Sequence, residues 1–179
     1  MTQIALIVGS LSRVSINRSI ANHLAAQAPA GVTVEEVHIA DLPLYTQDLD
    51  SESIPAYERV RAQLQAADAV LIVSPEHNRS MPAAVKNLLD IASRPAGKSL
   101  WGGKKTAVIT ASPGSYGGIN SGLHIRQSLQ AMSADVMIAP EVFLSRAHTA
   151  LADGQVSDAR TAAFLNKFAA AFYAWAQAE

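Results

Sequence analysis

The chain has no cysteine among its 179 residues, which removes several classes of chemistry. Disulfides, thiolate nucleophiles and cysteine-ligated zinc or iron–sulfur centres are all excluded. A phosphatase that attacks phosphate with a thiolate is excluded for the same reason. Any redox chemistry therefore has to come from a bound cofactor.

Charge and long apolar runs are also scarce. Only 16% of the residues are charged, and the formal net charge of −1 includes no block of like charges. Such a surface offers no electrostatic basis for binding nucleic acid or an anionic membrane. The N-terminal apolar run, Ile4–Val8, is too short for a signal sequence, and no run is long enough for a transmembrane helix. We therefore expect a cytoplasmic protein that contacts neither nucleic acid nor membrane.

Apolar residues make up 49% of the chain, which is enough for one α/β domain over residues 1–179. Short apolar runs alternate with helical patterns. The predicted strands lie near 4–9, 32–38, 69–73, 105–111 and 135–138, and the predicted helices near 16–28, 55–67, 82–93, 119–132 and 157–177. This alternation predicts a doubly wound parallel sheet of order 2-1-3-4-5 with helices on both faces. Ligands of such sheets bind at the carboxyl ends of the strands, between the first and the third.

A segment rich in serine follows the predicted first strand and leads into the predicted first helix. Unpaired N–H groups at a helix start favour a phosphate there. This loop contains a single glycine, Gly9, whereas loops that bind dinucleotides or nucleoside triphosphates need several. This favours a terminal monophosphate such as that of FMN, although an ordinary serine-capped helix is the alternative. The predicted phosphate contacts are Ser10, Ser12, Arg13, Ser15, Ile16 and Asn17.

The loop after the third strand, residues 74–82, is predicted to hold the edge of a flavin ring through its main chain. The predicted contacts are Pro75, Glu76, His77 and Asn78. For Glu76 we expect backbone contact rather than side-chain contact. His77 is included for its position alone, because a lone histidine in a loop is more often simply solvated. Ser80 is predicted to cap the helix that begins near Pro82.

The loop after the fourth strand is rich in glycine, which permits positive φ and a close approach of backbone to a planar ligand. Its predicted contacts are Ser112, Gly114, Tyr116, Gly117 and Gly118. Tyr116 is expected to stack on the ligand or to line the entrance. A flexible loop of turn residues is the alternative interpretation.

Together these segments resemble the NADPH-dependent FMN reductase family. The resemblance rests on Gly9-Ser10 with Ser15-x-Asn17, on Pro75-Glu-His-Asn-x-Ser-x-Pro82 with Lys86-Asn-x-x-Asp90, and on Ser112-Pro-Gly-x-x-Gly-Gly118. It implies a flavodoxin-like fold, bound FMN, NADPH or NADH as hydride donor, and a homodimer or homotetramer. The usual tyrosine of the second motif is His77 here.

The resemblance implies an FMN-dependent oxidoreductase that works by ping-pong hydride transfer. Its small-molecule electron acceptor would be a quinone, a flavin, an azo compound or a metal oxyanion. No catalytic side chain and no metal are predicted, because the flavin carries the chemistry. An electron-transfer flavodoxin without direct NAD(P)H turnover is the main alternative, and a non-enzymatic phosphate-binding module is another.

Overall fold

Six short strands and five helices form the main architecture in the computed structural model, which describes residues 1–178. The strands are β1 (Thr2–Val8), β2 (Val32–Glu36), β3 (Ala69–Ser74), β4 (Lys105–Ala111), β5 (Asp135–Val136) and β6 (Val142–Leu144). The helices are α1 (Ile16–Ala25), α2 (Pro55–Ala66), α3 (Ala83–Ser93), α4 (Ile119–Ala131) and α5 (Ala159–Gln177). A small hairpin of β7 (Leu151–Ala152) and β8 (Gln155–Val156), which the sequence did not predict, precedes α5.

The sheet order β2-β1-β3-β4-β5 and the parallel pairing confirm the predicted topology. Successive side chains of a strand point to opposite faces, so each central strand contributes to two cores. In β1, Ile4 and Leu6 join the core under α1 and α5, whereas Ala5 and Ile7 join the core under α2, α3 and α4. Burial on both faces explains why the strand is apolar throughout.

The fifth strand differs from the prediction of one strand at 135–138. Only β5 pairs with the start of β4, the chain then leaves the sheet, and β6 resumes the pairing beside the end of β4. Arg126 fills the interruption, since its guanidinium donates to Met137 O at 2.7 Å and to Val108 O at 3.3 Å. Burial lowers the pKa of Arg126, and Glu141 at 3.8 Å opposes that change. A buried side chain thus replaces the missing ladder contacts.

Helix ends also deviate slightly from the prediction. The helix predicted to reach residue 28 ends at Ala25, and the helix predicted from 157 begins at Ala159. Asp158 sets the latter start, because its carboxylate accepts a hydrogen bond from Thr161 N at 2.7 Å. Within residues 1–178, no helix combines the length and the apolarity needed to cross a membrane.

Candidate functional site

Three loops meet at the carboxyl ends of β1, β3 and β4, where the winding of the sheet reverses. Gly9 holds the first loop against β3, with its N–H donating to Val73 O at 2.8 Å. A Cβ at this position would lie 2.7 Å from Ser74 Oγ and 2.8 Å from Val85 Cγ2. The single glycine of the first motif is therefore required by packing between two neighbouring strand ends.

The first loop presents a row of free donors. Ser15 caps α1, with its Oγ accepting from Arg18 N at 3.1 Å, and the hydroxyl of Ser12 donates to Val14 O at 2.9 Å. In this described segment, the main-chain N–H groups of residues 10–17 donate to no protein acceptor. These donors and the positive end of the helix dipole fit a phosphate group. Arg13 is exposed beside them.

Asn17 lies inward rather than toward solvent, with only 3% of its surface exposed. Its Nδ2 donates to Ala111 O at 3.2 Å, which ties α1 to the end of β4, and its Oδ1 has no partner within the described residues. Its main-chain N–H is the group that remains available to a phosphate. Ser10 and Ile16 are half-buried on either side of the exposed part of the loop.

The second loop is a tight hairpin. His77 and Ser80 exchange two main-chain hydrogen bonds, each of 2.9 Å. The two residues between them, Asn78 and Arg79, have φ of 49° and 65°, the left-handed geometry of a type I′ turn. The predicted cap on α3 is wrong, because Pro82 occupies the cap position and Ser80 Oγ instead bonds to His124 Nδ1 at 2.9 Å. The loop is therefore stiff, and α4 braces it.

The side chain of Glu76 makes a contact that the sequence reasoning missed. Its Oε2 accepts hydrogen bonds from Asn120 N at 2.9 Å and from Ser121 N at 3.3 Å. The residue at the cap position of α4 is Gly118, which has no side chain to serve this purpose. A helix start without its own cap was the only signal in the sequence that a distant acid was needed.

The third loop folds against β6. Ser112 N donates to Leu144 O at 3.1 Å, and Ser112 Oγ accepts from Gly114 N at 3.0 Å. Gly117 has φ of 63°, and a Cβ there would lie 2.6 Å from the carbonyl carbon and oxygen of Phe143. The close approach that Gly117 permits is thus to the protein's own backbone. Gly118 is buried beside it with φ of 79°.

Tyr116 is the exposed aromatic residue of this loop, with 63% of its surface accessible. The Arg79 guanidinium lies 4.7 Å from the centre of its ring, so the tips of the second and third loops touch. Arg79 also lies 3.9 Å from the carboxylate of Glu76. Free main-chain donors, a rigid main-chain edge and an exposed aromatic thus occupy one rim, at the position where the sequence predicts the flavin contacts.

Comparisons with known proteins show the family to which the chain belongs. The family described as NADPH-dependent FMN reductase matches residues 2–149. A quinone reductase from Pseudomonas putida is 41% identical over 173 residues, covering 96% of this chain and 93% of the relative. A 2-hydroxy-1,4-benzoquinone reductase from Burkholderia sp. is 39% identical, covering 97% of this chain and 95% of the relative.

A solved structure extends the comparison to the fold. The flavoenzyme FerB, an NAD(P)H:(acceptor) oxidoreductase from Paracoccus denitrificans, superposes with a TM-score of 0.90 at 35% identity. The superposition covers 99% of this chain and 98% of that chain. Flavodoxin from Pseudomonas aeruginosa shares the fold at a TM-score of 0.57 and 20% identity. The family match over most of the chain and the relatives at about two-fifths identity show that the protein belongs to the NADPH-dependent FMN reductase family.

Proposed function

We propose that this protein reduces quinones with electrons from NADPH or NADH, using FMN held at the carboxyl ends of β1, β3 and β4. The observation that carries the proposal is the row of free N–H groups over residues 10–17 at the start of α1, next to a rigid hairpin. Two relatives whose names specify quinone substrates support the choice of acceptor. Flavins, azo compounds and metal oxyanions remain further candidate acceptors.

The first loop would bind the phosphate of FMN. Main-chain N–H groups, the hydroxyls of Ser10 and Ser15, and the Arg13 cation would supply the donors. The Ser12 hydroxyl already donates to Val14 O at 2.9 Å, so Ser12, like Ile16 and Asn17, would contribute through its backbone. Charge-assisted hydrogen bonds of this kind are about twice as strong as neutral ones. A dianionic phosphate at a helix start also gains from the macrodipole.

The other two loops would bind the ring of FMN. The main chain of Pro75, Glu76, His77 and Asn78 offers donors and acceptors at fixed positions, because the His77–Ser80 hydrogen bonds hold the turn. Ser112, Gly114, Tyr116, Gly117 and Gly118 would line the opposite side. When bound, FMN supplies the hydride chemistry, and the loops orient the ring and leave one of its faces open.

Donor and acceptor would use the same open face in turn, which gives ping-pong kinetics. An open face is consistent with acceptors of several shapes. An electron-transfer flavodoxin shares the fold but would not consume NAD(P)H directly. The near-balanced charge of this chain disfavours that alternative, since its net charge is only −1.

The test is flavin identification followed by steady-state kinetics. The purified protein should bind FMN with one site per chain and should consume NADPH when a quinone such as menadione is supplied as electron acceptor. Double-reciprocal plots of initial rate against NADPH concentration that stay parallel at different menadione concentrations would support the ping-pong order. Protein that binds FMN but leaves NADPH unconsumed would favour the flavodoxin alternative, and protein that binds no FMN would refute the proposal.

We also expect a homodimer or homotetramer in the cytoplasm, where NAD(P)H is produced. Exposed apolar side chains support self-association, since Ile138 is 85% and Leu123 is 47% accessible near the Arg126–Glu141 pair. Light scattering coupled to size exclusion measures the mass directly. A species with the mass of one chain at micromolar concentration would contradict this expectation.

A further inference from the structure

His77 stands apart from the rest of the hairpin, because its main chain is fixed while its imidazole is exposed to solvent. Residues that exchange both main-chain hydrogen bonds have side chains on the same face, with Cβ atoms about 5 Å apart. The side chains of His77 and Ser80 therefore share one face of the hairpin. Ser80 Oγ bonds to His124 Nδ1 at 2.9 Å, so this face carries two imidazoles with a hydroxyl between them.

The chemistry of the proposed reaction leaves a proton to be supplied. Reduction of a quinone to a hydroquinone adds two electrons and two protons. A hydride equivalent from NAD(P)H carries both electrons and one of the protons. The second O–H bond needs a separate proton, which must come from solvent or from an acid next to the acceptor.

We propose that His77 is the acid that supplies this proton to the quinone oxygen. A ring N–H bond breaks, the O–H bond of the hydroquinone forms, and the neutral imidazole regains its proton from solvent. Imidazole suits this role because histidine is the side chain that most often transfers a proton to a reacting group. The inference rests on the proposed function, since only an acceptor that takes up protons needs the acid.

Other charged groups near His77 are already engaged. Glu76 caps α4 and lies 3.9 Å from Arg79, and the Arg79 guanidinium covers the ring of Tyr116. His124, on α4, is held by Ser80 Oγ at 2.9 Å on the same face of the hairpin. The His124 ring thus bonds to Ser80, whereas the ring of His77 makes no hydrogen bond within the described residues. This leaves its ring free to meet a ligand.

The experiment compares two acceptors in the FMN-loaded His77→Gln variant. Menadione takes up a proton on reduction, whereas ferricyanide takes up electrons only. We expect kcat/KM for menadione to fall by about 100-fold or more, in keeping with the usual contribution of an acid catalyst. The rate with ferricyanide and the rate at which NADPH bleaches the flavin should fall much less than the rate with menadione, because His77 is proposed to contact the flavin through its main chain only. His23→Gln is the matched control, because His23 lies near the far end of α1 and bonds to Asn166 at 2.8 Å.

A second readout does not depend on turnover. In nitrogen-15 NMR of the histidine rings, menadiol added to the FMN-bound protein should shift the His77 ring signals and leave those of His23 in place. Fluorescence titration should give the same FMN affinity for His77→Gln and the unaltered protein. These measurements separate contact with the acceptor from a general effect on the site.

Three results would overturn the proposal. The first is an unchanged menadione rate in His77→Gln, and the second is an equal loss with both acceptors, which would indicate a role in holding the hairpin. The third is the absence of any shift of the His77 ring by menadiol. An unaltered protein that passes electrons from NADPH to ferricyanide but not to menadione would instead refute quinone as the substrate.

Discussion

The carboxylate of Glu76 caps a helix that is distant in the sequence, with its Oε2 accepting at 2.9 Å from the main-chain N–H of Asn120, 44 residues later. Glu76 lies in the loop after β3, and Asn120 lies in the first turn of α4, directly after the loop that follows β4. One side chain therefore fixes the spacing between the two loops proposed to hold the flavin ring. Its negative charge also faces the positive end of the helix dipole.

Glu76→Ala should weaken both stability and FMN binding. Loss of a capping side chain costs about 0.5–2 kcal/mol, and the released loops should reduce FMN affinity by about 10-fold. Glu76→Gln keeps an acceptor oxygen, so its stability and FMN affinity should lie between those of Glu76→Ala and the unaltered protein. Urea unfolding and fluorescence titration with FMN measure the effects, with the exposed Glu52→Ala as control. Equal FMN affinity in Glu76→Ala and the control would contradict the bracing role.

Ser15→Asp should separate folding from phosphate binding. Aspartate caps a helix as well as serine does, so the hydrogen bond from Arg18 N and the stability should be kept. Like charges about 4 Å apart repel by about 4 kcal/mol at an effective dielectric constant of 20. FMN affinity should therefore fall by at least about 100-fold. Riboflavin, which lacks the phosphate, provides the control and should bind both proteins equally, and equal FMN affinity would place the phosphate elsewhere.

The strands, the helices and the position of the site could be predicted because they depend on local patterns. Apolar runs of strand length and the distinctive loops after β1, β3 and β4 mark the sheet edge without knowledge of any contact. Side-chain partners could not be predicted in this way. The i,i+4 spacing of Asp90 and Arg94 favours a helix ion pair, yet Asp90 pairs with Lys86 at 2.7 Å and Arg94 pairs with Asp50. Local spacing allows more than one ion-pair partner for each side chain, and tertiary packing decides which pairs form.

Gly117→Ala should be destabilising, whereas Gly114→Ala should not. An alanine at 117 would have to adopt φ of 63°, which costs about 1–2 kcal/mol, and its Cβ would lie 2.6 Å from Phe143 O. At 114, a Cβ would meet only Ser112 Oγ at an ordinary 3.4 Å. Thermal unfolding of the two variants measures the difference. Similar melting temperatures would show that the third loop can leave β6 without cost.

Asp50 should contribute to stability at neutral pH but not in acid. The hydrogen bonds from Arg94 hold the pKa of this carboxyl below its ordinary value of 3.8, although burial opposes the change. A lowered pKa in the folded state stabilises it above the ordinary value, and this contribution disappears as the pH falls through the lowered pKa. Asp50→Asn should therefore melt lower than the unaltered protein at pH 7, and the gap should close as the pH falls below the ordinary value of 3.8 and through the lowered pKa. Asp48→Asn, in the same 3-10 turn (Gln47–Ser51), is the control, and a gap independent of pH would contradict the ion-pair account.

Arg126 should be among the residues most sensitive to substitution outside the proposed flavin site, because it replaces strand pairing between β5 and β6. Only 8% of its surface is exposed, and its guanidinium satisfies the carbonyls of Met137 and Val108. Arg126→Met fills a similar volume but leaves both carbonyls buried without a donor, which should cost about 2–4 kcal/mol. Arg126→Lys keeps one donor group and should lose less stability. Urea unfolding compares these variants with Arg160→Met, a substitution at an exposed position. Equal stability of Arg126→Met and this control would mean that water or another group of the protein donates to the two carbonyls.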